Sequence, residues 1–292
     1  MTCSSATCGH TYPIVDGIPI MLNEANSVFM TADFVSNRDT YFARSSRITR
    51  MLTRLLPSLG GSLNAAQRYK RFLEHISLRK DPFVLVLGGS VVGEGIRAVL
   101  DDPRLSVIET DVAFGPRTKL VSDAHDIPFG DETFDAVIAQ AVLEHVVDPF
   151  RCVEEIHRVL KPEGIVFAEI PFMQQVHGGR YDFTRFTQLG NRRLFRRFEE
   201  LEMSVCGGPG MALAWSFQYF LLSFVRRRKT RLLIKACVRL TLFWLKYWDR
   251  YLYRKGGSYD AASGLHFLGQ KSNHILADRD LIQLYRGTND VL

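Results

Sequence analysis

The chain has 292 residues, 46% hydrophobic and 23% charged, enough apolar material to bury one large core. That composition excludes wholesale disorder, collagen-like repeats and a multi-span membrane protein. The net charge is +6, yet residues 226–255 carry eleven lysines and arginines against Asp249 alone, so the remainder is net acidic. Five cysteines do not make a disulfide framework, and the first 20 residues lack a basic start followed by an apolar run. A cytoplasmic location without a signal peptide is therefore expected.

In chain order, residues 12–19 (Tyr12-Pro13-Ile14-Val15-Asp16-Gly17-Ile18-Pro19) read as extended. Residues 27–80 place Phe34, Tyr41, Ile48, Leu52 and Leu55, then Tyr69, Phe72, Leu73 and Ile76, at helical spacing, with a break at Gly60-Gly61-Ser62. Short apolar runs follow at 83–87, 105–110, 119–121, 135–139 and 165–170, most of them ending at glycine or a carboxylate. Between the last two, Asp148-Pro149 reads as an N-cap and first helical residue. Apolar strands alternating with amphipathic helices predict an α/β fold with a mainly parallel sheet covered on both faces. Residues 206–262 interrupt the pattern with aromatic, basic helices, and 265–271 reads as a returning strand. The expected division is a short N-terminal segment (1–26), a helical cap (27–80), a core (81–205), a basic helical insertion (206–262) and a last strand with its tail (263–292).

In an open parallel sheet, ligands collect beyond the carboxyl ends of the strands. The first strand here runs into Gly88-Gly89-Ser90-Val91-Val92-Gly93. Ser90 breaks the dinucleotide pattern, and neither Lys nor Ser/Thr follows Gly93 as a phosphate loop requires. Asp111 ends the second strand, where a carboxylate can accept both hydroxyls of a ribose. Asp123-Ala124-His125 follows the third, within reach of an adenine amino group, and Gln140 ends the fourth. Each acidic residue alone reads equally as a helix cap. Together, at successive strand ends, they predict an adenosine-sized site without a phosphate cradle.

These residues, with Asp123-Ala124-His125-Asp126-Ile127-Pro128-Phe129, Leu143-Glu144-His145-Val146 and Arg158-Val159-Leu160-Lys161-Pro162-Glu163-Gly164, resemble class I S-adenosylmethionine-dependent methyltransferases of the type 11 kind. The resemblance implies a Rossmann-like seven-stranded sheet, its last strand antiparallel, with a helical insertion before that strand. It implies S-adenosylmethionine as cofactor, with Gly88, Gly89 and Gly93 around its methionine part. Asp111 would then lie on the ribose, Asp123 with Ala124 or His125 at the adenine, and Gln140 beside them. Val86 departs from the acidic residue many relatives carry there. Residues 11–22 resemble the end of a zinc-ribbon-like module; Cys3 and Cys8 supply half a ligand set, so a metal-free remnant is expected.

No Asn-Pro-Pro-Tyr or Asp-Pro-Pro-Tyr follows the fourth strand, and no Pro-Cys pair is present, which disfavours nucleic-acid bases as acceptors. An oxygen or amine of a small molecule, sugar or glycan-lipid remains. The 171–187 segment packs His177, Tyr181, Asp182 and Arg185 near the cofactor rim. It reads either as a loop stitched by an Asp182–Arg185 pair or as an acceptor site. In the second reading His177, His145 and Asp182 are catalytic, and Gln175, Tyr181 and Arg185 hold the substrate. His145 reads equally as a buried histidine fixing its loop. The segment resembles one in methyltransferases of surface-polysaccharide synthesis. Residues 226–255 predict a cationic helical stripe (Arg228, Arg231, Lys235, Arg239, Lys246, Arg250) opposite apolar residues. That pattern suits a helix at the cytoplasmic face of an anionic membrane, or a lid or dimer helix. A non-catalytic scaffold and an RNA methyltransferase are the competing functions.

Overall fold

The computed structural model of the chain describes residues 1–2, 9–36 and 56–288. Cys3, Cys8 and the apolar positions Tyr41, Ile48, Leu52 and Leu55 lie outside the described residues. Strands β1 (Ile14–Val15) and β2 (Ile18–Pro19) form a hairpin whose turn, Asp16-Gly17, has both φ angles positive. Asp and Gly are the residues such a turn accepts at least cost. Ile20 then bridges in parallel to Val121, so the N-terminal segment is packed on the sheet edge rather than standing apart. Helix α1 (Thr31–Ser36) buries Phe34 in the same cluster.

The main sheet has seven strands: β3 (Phe83–Leu87), β4 (Ser106–Asp111), β5 (Leu120–Val121), β6 (Phe134–Gln140), β7 (Leu160–Pro171), β8 (Phe198–Gly207) and β9 (Gly264–Lys271). Their order is β5-β4-β3-β6-β7-β9-β8, and β9 runs antiparallel between β7 and β8. This is the Rossmann-like architecture the sequence implies, with strand order reversing between β3 and β6, where a crevice opens at the carboxyl ends.

Why β3 is an unbroken apolar run follows from its position. Val84 and Val86 face helix α2 (Ala65–Ile76), packing with Tyr69, Phe72 and Ile76, while Leu85 and Leu87 pack with Val153 and Ile156 of helix α4 (Pro149–Val159). Helix α3 (Arg97–Leu100) is a single short turn after the glycine-rich segment. The side chain of Asp148 accepts from the Arg151 amide at 3.1 Å, the expected cap of α4. Helix α5 (Gln188–Leu194) is capped by Thr187 in the same way.

Strand β8 is the core strand that apolar runs did not reveal. Glu199, Glu200 and Glu202 interrupt its hydrophobic pattern because it is the sheet edge. Between β8 and β9 lie α6 (Pro209–Ser223), α7 (Arg228–Leu242), α8 (Leu245–Leu252) and α9 (Gly257–Asp260). The expected cationic stripe does not run along one continuous helix, since the chain breaks at Phe243-Trp244. Two of its cations are structural: Arg231 donates to the Leu222 and Val225 carbonyls, and Lys246 to those of Ser58 and Gly60. No helix among the described residues is long and apolar enough to cross a membrane.

Asp249, the lone acidic residue of the basic stretch, is fully buried. Its carboxylate accepts the Gly210 amide at 2.7 Å and the Met211 amide at 3.2 Å, so α8 supplies the missing N-terminal cap of α6. Burial pushes its pKa up despite these amides. Asp249→Ala leaves those amides without an acceptor and is expected to cost about 2 kcal/mol of stability, read from chemical denaturation. An unchanged denaturation midpoint would show the cap to be dispensable.

Candidate functional site

A cavity of about 550 Å³ opens at the carboxyl ends of β3, β4 and β6. Gly88 follows β3 with φ +74°, and a Cβ there would sit 2.6 Å from Val142 Cγ2. A Cβ on Gly93 would overlap the Gln140 amide. The turn therefore needs glycine both for its backbone and for its close approach to the next strand end. Gly89 lies behind the rim: its amide donates to the Thr110 carbonyl and it packs on Glu109.

Asp111 borders the cavity at the end of β4, and its Oδ2 accepts the Ser90 amide at 2.8 Å. Burial raises its pKa, overcoming the hydrogen bonds from Ser90, Val112 and Ala113. Asp123 follows β5. Its Oδ1 accepts the His125 amide at 3.0 Å and His125 Nδ1 at 2.6 Å, and its Oδ2 accepts the Ser27 hydroxyl at 2.5 Å. Burial would raise its pKa, but these hydrogen bonds from His125 and Ser27 outweigh it and hold the carboxyl low.

The imidazole of His125 is used twice inside the protein. Nε2 accepts the Asp148 amide at 3.0 Å, so Nδ1 carries the proton that Asp123 accepts. The ring ties β5 to the cap of α4, and Asp123, Ala124 and His125 all border the cavity. Val28 and Phe29 border this rim from the N-terminal side, next to the Ser27 that binds Asp123, and nothing in the periodicity of 27–80 announces them.

Gln140 is held in a second network. Its Oε1 accepts the Tyr69 hydroxyl at 3.0 Å, and its Nε2 donates to the Glu94 carbonyl and, at 2.8 Å, to Glu169 Oε2. Glu169 pairs with Arg68 at 2.8 Å; Arg68 also donates to Ser62 Oγ and to Asn64. Arg68 is only 2% exposed. The sequence analysis missed this pair. The available signal was spacing, since Arg68 stands one helical turn before Phe72, on the face of α2 that meets the core.

The loop after β7 has the arrangement of the stitched reading. Arg185 grips Asp182 through both guanidinium nitrogens at 2.5 and 3.1 Å and reaches the Gln174 and Gln175 carbonyls. Asp182 Oδ2 also accepts the His177 and Gly178 amides at 2.8 and 2.9 Å. Burial works against the charge, yet these partners hold the Asp182 carboxyl far below the usual range. Asp182 and Arg185 thus shape the loop from inside it. Tyr181 stacks on Phe29 with centroids 5.2 Å apart, and Gln175 donates to Ser216 of α6 at 3.0 Å.

What the loop presents is His177. Its ring lies 4.8 Å from that of His145, edge to face, and burial together with His145 lowers its pKa. Between them sits Glu144, fully buried, with both carboxylate oxygens lacking a hydrogen-bond partner among the described residues. Burial pushes its pKa up to about 8, ahead of the opposing pull of Arg185. A second cavity of about 190 Å³ is bordered by Glu144, His177, Met211 and Trp215. It shares Glu169 and Gln174 with the first cavity, which His145 borders, so the two adjoin.

Residues 97–168 match a family described as a methyltransferase domain. The match takes in Asp111, Asp123, Gln140 and Glu144-His145, but starts after the glycine turn and stops before His177. Among curated proteins, a rat protein named arginine-hydroxylase NDUFAF5, mitochondrial, is 41% identical over 58 residues, 20% of this chain and 16% of its own. A demethylmenaquinone methyltransferase of Lysinibacillus sphaericus is 32% identical over 117 residues, 37% of this chain and 49% of its own. The matched stretches thus span less than half of these relatives. A Burkholderia thailandensis 1,6-didemethyltoxoflavin-N1-methyltransferase, solved with bound 1,6-didemethyltoxoflavin and S-adenosylhomocysteine, is similar at 14% identity and a TM-score of 0.44. That likeness covers 83% of this chain and 87% of the other.

Proposed function

We propose that this chain transfers the methyl group of S-adenosylmethionine to an oxygen or amine of a small-molecule, sugar or glycan-lipid acceptor. The observation that carries the reading is the pair of adjoining cavities, one rimmed by strand-end carboxylates and His145 and the other by Glu144 and His177. The first cavity suits the cofactor. Its volume of about 550 Å³ falls within the usual range for such ligands, its Gly88 edge is bare, and Asp111 is an acidic acceptor for ribose hydroxyls. Asp123 and Ala124 would face the adenine, and Gln140 braces the wall between Tyr69 and Glu169.

S-adenosylmethionine supplies an already activated methyl group. The protein then has to align the acceptor and keep water away. Trp215 and Met211 supply an apolar side to the second cavity, and Arg185 and Asp182 keep His177 at its mouth. His177 and His145 are the groups placed to hold an acceptor hydroxyl or take its proton. Supporting a lipid-borne acceptor, Leu233, Leu240, Trp248 and Tyr251 of α7 and α8, and Trp244 at the break between them, are exposed beside the cationic residues.

Calorimetry with S-adenosylmethionine and S-adenosylhomocysteine tests the reading. Both are expected to bind one per chain. Binding of neither would make the chain a scaffold. Vesicles containing anionic phosphatidylglycerol are expected to retain the chain, whereas retention by RNA alone would favour the nucleic-acid enzyme.

A further inference from the structure

We propose that Glu144, His145 and His177 form a binding site for one divalent first-row transition-metal ion, of the zinc, iron or manganese kind. The sequence supplies no complete ligand set along any short stretch, and the loop after β7 assembles this one by bringing His177 back over Glu144-His145. Both imidazole Nε2 atoms lie 3.7 Å from the same oxygen, Glu144 Oε1, and the three ligating atoms all fall within 4.8 Å of one another. At 3.7 Å these are too long for hydrogen bonds. They are close to the roughly 3.4 Å that separates ligand atoms around a tetrahedral ion with bonds of about 2.1 Å.

Three further features point the same way. Each ring has a carbonyl on its far side: His145 Nδ1 lies 2.7 Å from that of Tyr181, and His177 Nδ1 lies 3.4 Å from that of Gln175. That arrangement puts the protons on Nδ1 and turns both Nε2 lone pairs toward Glu144, as outer contacts do for metal-binding histidines. Next, Glu144 is 0% exposed with neither oxygen hydrogen-bonded among the described residues. A carboxyl group buried without a partner is costly, and a cation would remove that cost by favouring its ionised form. Last, His145 borders the first cavity while Glu144 and His177 border the second, so the remaining coordination positions open onto space a ligand can enter.

Two imidazoles and one carboxylate suit zinc, iron or manganese; magnesium and calcium favour all-oxygen sets. For its use, though not for its existence, the site rests on the methyl-transfer reading: an ion here would take over from the two histidines, whose Nε2 atoms it would occupy, the role of holding the acceptor oxygen and making its proton easier to lose. The acceptor would then carry a hydroxyl rather than an amine.

The test uses the full chain with Cys3→Ser, Cys8→Ser and Cys237→Ser, which removes the N-terminal thiols and the exposed one, stripped with chelator and titrated with cobalt(II). Visible absorption is expected to saturate at one equivalent, with zinc(II) displacing the cobalt. Glu144→Gln and His177→Gln should each weaken binding more than about 100-fold, since changes to outer contacts alone cost about 10–100-fold. His274→Ala, at an exposed histidine elsewhere, should bind cobalt unchanged. If Glu144→Gln does not fold, His177→Gln in its loop decides. No saturable cobalt signal, or a signal surviving His177→Gln, overturns the site. Calorimetry on the same preparation separates the two readings: cobalt binding without S-adenosylmethionine binding sinks the transferase and leaves the metal site standing.

Discussion

Arg68→Met is expected to lower the unfolding free energy by about 3–5 kcal/mol, the range for removing one partner of a buried ion pair. The substitution keeps most of the side-chain volume, so the loss is electrostatic. It strands the Glu169 carboxylate beside Gln140, against a helix face already packed with Tyr69 and Phe72. It also removes donors from Ser62 and Asn64, which carry the chain from the Gly60-Gly61 break into α2. Urea denaturation followed by circular dichroism measures the effect. The double variant Arg68→Met/Glu169→Leu is expected to regain much of the loss, because replacing a whole buried pair with apolar groups is often neutral. If the single variant matches the parent, the pair does not hold α2 to β7.

Asp111→Ala is expected to raise the dissociation constant for S-adenosylmethionine at least about tenfold, since hydrogen bonds to a charged group are worth about 1.5–3 kcal/mol. The direction of its pKa shift adds a second readout. Burial raises the Asp111 pKa, and the ionised form is the better acceptor of ribose hydroxyls. Cofactor affinity should therefore be full above the raised pKa and fall as pH drops through it. Asp111→Asn should flatten that dependence, because an amide does not titrate. Calorimetry across a pH series measures both. A parent chain whose affinity ignores pH, together with an Asp111→Ala variant that binds as tightly, would remove the carboxylate from the ribose.

The strands that position the site were legible because each is apolar and stops at a residue with its own reason to be there. β3 stops just before Gly88, β4 at Asp111 and β6 at Gln140. The cap of α4 at Asp148 was legible for the same kind of local reason. What stayed hidden depends on partners distant in sequence. Arg68 and Glu169 are 101 residues apart, and Ser27 reaches Asp123 across 96. Neither shows in a window of helical or strand period. β8 was hidden by its own glutamates, since an edge strand need not be apolar throughout. The Asp182–Arg185 spacing was readable in two ways, and both carboxylate oxygens prove to be engaged within the loop, which favours its structural role. The pattern of 226–255 gave the cationic and apolar residues but not the break at Phe243-Trp244.

The central claim is most directly tested by a crystal structure of the chain grown with S-adenosylhomocysteine. The account predicts the adenosyl group in the cavity between Asp111 and Asp123, its ribose on Asp111, and its sulfur turned toward the second cavity and His177. A nucleoside bound elsewhere, or a cavity still closed by Val28 and Phe29 at saturating ligand, would contradict it.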